Sequence, residues 1–170
     1  MRNPVFGIAY ILLVIAQMII CNYFQFSPYF VLSILPAMVL CIPLNISTNA
    51  CMLIAFATGL SVDSLAEGLI GINAASLIPV AYARKTLIRV FLGEDLIARK
   101  ETFTFRKNGV SKILTAVLLA YVLFFALYIF LDGAGTKTLL FNVLRILLSL
   151  VCSIIPGLLV IGSLNKEDRR

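Results

Sequence analysis

The sequence predicts an all-α, polytopic membrane protein with six transmembrane helices. Of its 170 residues, 61% are hydrophobic and 13% are charged, and the mean hydropathy is +1.04. An average soluble domain carries about twice that charged share. Because a helix needs about 20 apolar residues to cross a bilayer, six such stretches account for most of the chain. We therefore expect residues 1–170 to form a single integral membrane domain.

The six apolar stretches define the predicted crossings. The first follows Arg2 and is interpreted as an uncleaved helix, because it lacks a small-residue cleavage site and more apolar stretches follow it. The fourth is charge-free only over 69–83, so Arg84 and Lys85 would have to reach toward the inner surface, unless the segment is tilted or partly re-entrant. The predicted crossings are about 5–24, 28–44, 50–65, 69–92, 113–131 and 139–164.

The basic residues predict the orientation. With six crossings, twelve of the fourteen Lys and Arg residues lie on one side, near the two termini and between 84 and 112, whereas five or seven crossings would divide them. This imbalance favours cytoplasmic N- and C-termini and explains the net charge of +6 without nucleic acid. In the loop after the fourth crossing, we expect the basic side chains to bind anionic lipid head groups, with a docking site for a cytoplasmic protein as the alternative. These residues are Arg99, Lys100, Arg106 and Lys107.

The residue types needed for catalysis or metal binding are scarce. The chain has no histidine, and its four cysteines form no CxxC pair. The only close carboxylates within the apolar part are Asp63 and Glu67. We therefore expect no cofactor, no metal site and no enzymatic activity.

Two charges inside predicted crossings suggest a polar cluster near the outer face. Asp63 lies about 20 Å along the third crossing from the cytoplasmic side, and Arg145 lies about 9 Å along the sixth from the outside. In a core of about 30 Å these depths agree, so we hypothesise that the two side chains pair, with Asn73 completing the cluster. The alternative is that Asp63 and Glu67, four residues apart on one helical face, reach water at the outer surface.

Residues 59–75 predict a helical hairpin. Gly59 allows two helices to approach closely, and Gly68 and Gly71 supply the conformational freedom of a tight reversal before a new helix begins near Asn73.

This hairpin resembles the MreD family, the small membrane proteins of the bacterial rod-shape system. The resemblance covers about 26 residues and includes Asn73 before Ala74; Lys85 departs from it, since relatives often have proline there. The matching residues are Gly59, Leu60, Asp63, Gly71, Ala74, Ala75, Tyr82 and Arg84.

The resemblance implies a non-enzymatic scaffold in the bacterial inner membrane. Its partners would be MreC and, through MreC, the MreB filament and the RodA–transpeptidase pair. The fold would be similar to the substrate-binding component of energy-coupling-factor transporters. Such a solute-binding component is itself the alternative function, for which the outer-side polar residues would form the pocket.

Overall fold

The computed structural model describes residues 4–24, 29–68, 70–92, 110–133 and 137–167. This part of the chain contains six α-helices and no sheet. A π-helical turn, Asp63–Glu67, continues the third helix. The helices are α1 (Pro4–Phe24), α2 (Leu35–Cys41), α3 (Thr48–Val62), α4 (Ile72–Leu92), α5 (Val110–Gly133) and α6 (Leu139–Glu167).

Four helices are long and apolar enough to cross a membrane, as in a multi-pass membrane protein. Their apolar spans are Phe6–Tyr23, Thr48–Ala66, Ser111–Gly133 and Leu139–Leu164. Each corresponds to a predicted crossing. The helix α4 is also long, but Arg84, Lys85 and Arg89 lie in it, which explains why it is not among the four.

The second predicted crossing is not a continuous helix. Residues 30–34 have no regular secondary structure, and α2 has only 7 residues, with Pro36 in its first turn. All of α2 is buried, and it contacts each of the other five helices. The prediction of a helix over 28–44 was therefore wrong in form, because this apolar run is the centre of the bundle.

Side chains from α1 and α6 hold the non-helical segment 31–34 in place. Gln17 of α1 accepts a hydrogen bond from the Ile34 amide at 2.8 Å and donates one to the Leu32 carbonyl at 3.2 Å. On α6, Ser149 accepts from the Val31 amide at 2.8 Å, and Ser153 accepts from the Ser33 amide at 3.1 Å. Irregular backbone at membrane depth requires such protein partners, since lipid offers none.

The helix α6 has one polar inner face and one apolar outer face. Its buried polar residues recur every fourth position at Arg145, Ser149 and Ser153, the spacing of one helical face. The outer face carries large, exposed apolar side chains, which suit contact with lipid acyl chains. They include Leu140, Leu144, Leu147, Val151, Ile155 and Leu159.

Candidate functional site

The reversal between α3 and α4 is built around a buried carboxylate. Asp63 is fully buried at the start of the π-helical turn. Its Oδ1 accepts hydrogen bonds from the backbone amide of Asn73 at 3.0 Å and from the Asn73 side-chain amide at 2.9 Å. Its Oδ2 accepts from the amides of Gly71 at 2.9 Å and Ala74 at 3.2 Å. Each carboxylate oxygen therefore has two donors.

These bonds make Asp63 the cap of α4. The first amides of a helix have no partner within the helix, and that end carries a partial positive charge. A carboxylate from the preceding helix satisfies both requirements here. Asp63 is thus a structural anion without a free oxygen, and it does not reach outer-surface water as the alternative interpretation required.

Three glycines allow this arrangement. Gly68 and Gly71 have φ angles of 72° and 102°, values that residues with a side chain rarely adopt. Gly59 lies against the backbone of Ala74, so closely that an added Cβ would be 2.5 Å from the Ala74 Cα. The predicted roles of all three glycines agree with this geometry.

Five residues of the hairpin motif therefore form one unit, which we name the hairpin clamp: Gly59, Asp63, Gly71, Asn73 and Ala74. The unit joins two helices through a close approach and a buried cap. Of the other matching residues, Tyr82 is 67% exposed and lies outside the clamp.

Arg145 does not pair with Asp63. Its Nη1 lies 2.5 Å from Oδ2 of Asp132, at the end of α5. The hypothesis of an Asp63–Arg145 pair was therefore wrong: the depths estimated from the sequence matched, but the neighbouring helix α5 supplies the carboxylate of Asp132 instead. The expected association of Asn73 with Asp63 is present.

The Asp132–Arg145 pair retains unused polar atoms around it. In the part of the chain that the structure describes, the buried Nε of Arg145 and the buried Oδ1 of Asn142 have no hydrogen-bond partner. Nearby, Lys137 lies over the ring of Phe141, with its Nζ 5.4 Å from the ring centroid. Tyr29 packs against the same ring at a centroid distance of 6.1 Å. Asp132, Asn142 and Arg145 therefore form a second polar cluster, between the end of α5 and the start of α6.

Arg84 is buried in the bundle, although the sequence predicted that it would reach toward the inner surface. Only 1% of the residue is exposed. Its Nε donates to the carbonyl of Leu40 at 3.2 Å, and its Nη1 lies 3.9 Å from Sγ of Cys51. Its Nη2 has no hydrogen-bond partner among the described residues. Because Leu40 is in the last turn of α2, the guanidinium caps the negative end of that helix.

The side chains that hold segment 31–34 were not predicted from the sequence. The feature of the sequence that could have indicated Ser149 and Ser153 is their spacing from Arg145. They follow it by four and eight residues and so share its face of α6. Gln17 was the only amide side chain well inside the first apolar stretch. The basic residues Arg99, Lys100, Arg106 and Lys107 lie outside the described residues.

Comparisons with protein-family models, curated proteins and solved structures found no match to this chain. Within the described ranges, no group of three or more Cys, Asp or Glu side chains is arranged to hold a metal ion. The buried charges and polar groups instead join helix ends and irregular backbone.

Proposed function

We propose that this protein is a non-catalytic scaffold of bacterial cell-wall elongation, similar to MreD, in the inner membrane. The observation that carries the proposal is the hairpin clamp. Residues of the resemblance from both arms of the hairpin meet in one packed, hydrogen-bonded unit. Both oxygens of Asp63 are used within the clamp, and a carboxylate with this structural role suits a protein that presents surfaces to partners.

The proposed topology has six passes, with both termini in the cytoplasm. The second pass is the non-helical stretch followed by α2. The seven residues of α2 cover about 10 Å at about 1.5 Å each, so the non-helical residues before α2 have to cover the rest of a bilayer core of about 30 Å. From Val31 to Ser33 this pass runs parallel to α6 from Ser149 to Ser153. Six passes require this, since the second and sixth run in the same direction.

The proposed partners are MreC and, through it, MreB and the RodA–transpeptidase pair. Affinity purification of the tagged full chain from membranes in mild detergent, with mass spectrometry of the retained proteins, tests this. We expect MreC to be recovered together with RodA or its transpeptidase partner. Gly59→Leu, which would disrupt the hairpin clamp, should lose them. Gly162→Leu should keep them, because nothing lies within 4 Å of an added Cβ at Gly162.

The alternative is the solute-binding component of an energy-coupling-factor transporter. Two observations favour it: the interrupted second pass, since interrupted helices often form solute sites, and the unpartnered atoms of Asn142 and Arg145. One observation argues against this alternative. In the interrupted segment, the backbone amides of Val31, Ser33 and Ile34 already donate hydrogen bonds to side chains of the protein. Recovery of paired ATPases with a coupling protein in the same purification would overturn the scaffold proposal.

A further inference from the structure

The exposed face of α4 changes character along the helix. Toward the start of the helix this face is apolar, with Ala75 exposed and Ile78 half-buried. Farther along it is polar and positively charged, at positions three and four residues apart, which is the spacing of one helical face. Lys85 is half-buried here and the other polar side chains are exposed. We name this part of the helix the basic face: Tyr82, Lys85, Thr86 and Arg89.

The adjacent cations Arg84 and Lys85 have different surroundings. Arg84 points into the bundle, where only 1% of it is exposed and its Nε donates to the Leu40 carbonyl. Lys85 follows about 100° further around the helix, and its side chain is half-exposed at the surface of the bundle. The reach toward the inner surface that the sequence predicted for both residues is therefore available to Lys85 alone.

Two contacts fix the level of the basic face relative to α3. Gly59 lies against the backbone of Ala74, and Nη1 of Arg84 lies 3.9 Å from Sγ of Cys51 in the first turn of α3. Exposed polar side chains of the turn 45–49 lie next to that first turn. At about 1.5 Å per residue, the basic face extends from about 3 Å inside the level of Arg84 to about 7.5 Å beyond it. The face therefore crosses from the apolar core into the head-group region of a bilayer.

The basic face is positively charged, and the described carboxylates are distant from it. Asp63 precedes the start of α4, and Asp132 pairs with Arg145 at the start of α6. Both carboxylates lie at the end of the bundle opposite to Lys85 and Arg89, which are in the second half of α4. Long basic side chains at this level can lie along apolar surface and place their charge among lipid phosphates.

We propose that the basic face of α4 binds an anionic phospholipid, with the head group at Lys85 and Arg89 and the acyl chains along Ile78 and Ala75. A phospholipid has the same order of charged and apolar parts along its length as this face. Tyr82, 67% exposed, lies between the two parts, where an amphipathic ring is favourable. A partner helix with carboxylates would also complement the charge, but lipid phosphates surround the protein at this level. The cytoplasmic leaflet as the source of the lipid rests on the proposed orientation.

The test is native mass spectrometry of the full chain in mild detergent, which does not depend on orientation. The probes are equal amounts of phosphatidylglycerol and of phosphatidylcholine, whose head group has no net charge, with the same acyl chains. We expect the unmodified chain to bind phosphatidylglycerol preferentially. The double variant Lys85→Gln with Arg89→Gln should reduce that preference about tenfold or more, since each basic residue near an anionic surface contributes a factor of about five. Lys137→Gln, the same change at the exposed outer turn, should retain it.

A second double variant, Lys85→Arg with Arg89→Lys, exchanges the side chains and keeps the charge. It should retain the preference for phosphatidylglycerol, and its loss there would overturn charge as the basis of binding. Equal binding of the two lipids by the unmodified chain would overturn the proposal. An unchanged preference in the Gln double variant, or an equal loss in Lys137→Gln, would overturn the basic face as the site.

Discussion

A buried carboxylate is stable in an apolar bundle only where donors surround it, and Asp63 has four. Asp63→Asn keeps the shape but replaces one oxygen by an amide group, which would face two N–H donors whichever oxygen is replaced. We expect the free energy of unfolding to fall by about 2–3 kcal/mol. Denaturation of the purified full chain in detergent micelles measures it.

The control for this prediction is Ser64→Ala in the same turn. Ser64 is exposed, and among the described residues its hydroxyl donates only to the carbonyl of Ser61, at 3.3 Å. Loss of this hydroxyl should therefore change stability by less than about 0.5 kcal/mol. An Asp63→Asn variant as stable as the unmodified protein would contradict the capping role.

Gly59 tests the close approach in the hairpin clamp. An added methyl group would meet the Ala74 backbone, which cannot move aside like a flexible side chain. We expect Gly59→Ala to lower the free energy of unfolding by about 1–3 kcal/mol. Gly162→Ala, on an open part of α6, should leave it unchanged or raise it by up to about 1 kcal/mol. If thermal unfolding shows equal effects for the two changes, helix propensity determines the stability at Gly59, and the contact with Ala74 does not.

Residue-level partners were only partly predictable from the sequence. The φ freedom of Gly68 and Gly71 followed from their place in a reversal, and the neighbourhood of Asp63 and Asn73 was expected. The partner of Arg145 was not, because depth along a helix fixes one coordinate and leaves rotation about the axis free. Asp132 lies 13 residues earlier, on the adjacent helix α5, and it agrees with Arg145 both in position along the helix and in the direction it faces.

At the scale of elements, the interrupted second pass depends on side chains of other helices. Gln17→Leu removes the acceptor of the Ile34 amide and the donor to the Leu32 carbonyl. We expect hydrogen exchange of the Ile34 amide to accelerate about tenfold or more, since one hydrogen bond contributes about 1 kcal/mol and a buried orphan costs more. Hydrogen-exchange mass spectrometry of peptides covering 29–41 measures this.

The matched control is Asn22→Leu, one turn beyond Gln17 on α1. The Asn22 amide is exposed and donates only to the Met18 carbonyl of its own helix, at 3.1 Å. The substitution Asn22→Leu should therefore leave hydrogen exchange in segment 31–34 unchanged. Equal exchange in both variants would mean that Ser149 and Ser153 hold the segment without Gln17.

Helix existence was predictable where an apolar run was long, as in α1, α3, α5 and α6. The second run failed because a buried extended segment and a buried helix have the same all-apolar composition. Pro36 lies in the first turn of the short helix α2, a position that proline tolerates well. The decisive polar partners, Gln17 and Ser149, are 15 or more residues distant in sequence from the segment they hold.

At the scale of the whole molecule, buried charges mark opposite ends of the bundle. Asp63 caps the start of α4 at one end, and Arg84 caps the end of α2 toward the other. Both ions are used where helices begin or end, which is where an apolar bundle has unsatisfied backbone groups. The fold therefore combines lipid-facing apolar surfaces with charges that connect its passes.

The proposed orientation predicts which loops face the cytoplasm. Asn45, in the turn before α3, should lie inside, and Lys137, in the turn before α6, should lie outside; both are exposed. In intact cells, a membrane-impermeant maleimide should therefore label Lys137→Cys, whereas it should label Asn45→Cys only after permeabilisation. The unmodified chain is the control, since Cys21, Cys41 and Cys51 are buried and Cys152 is half-buried. Labelling of both variants from outside would mean that the second pass is re-entrant, and the positive-inside argument would then lose the pass count on which it depends. Labelling of Asn45→Cys alone from outside would mean that the whole orientation is inverted.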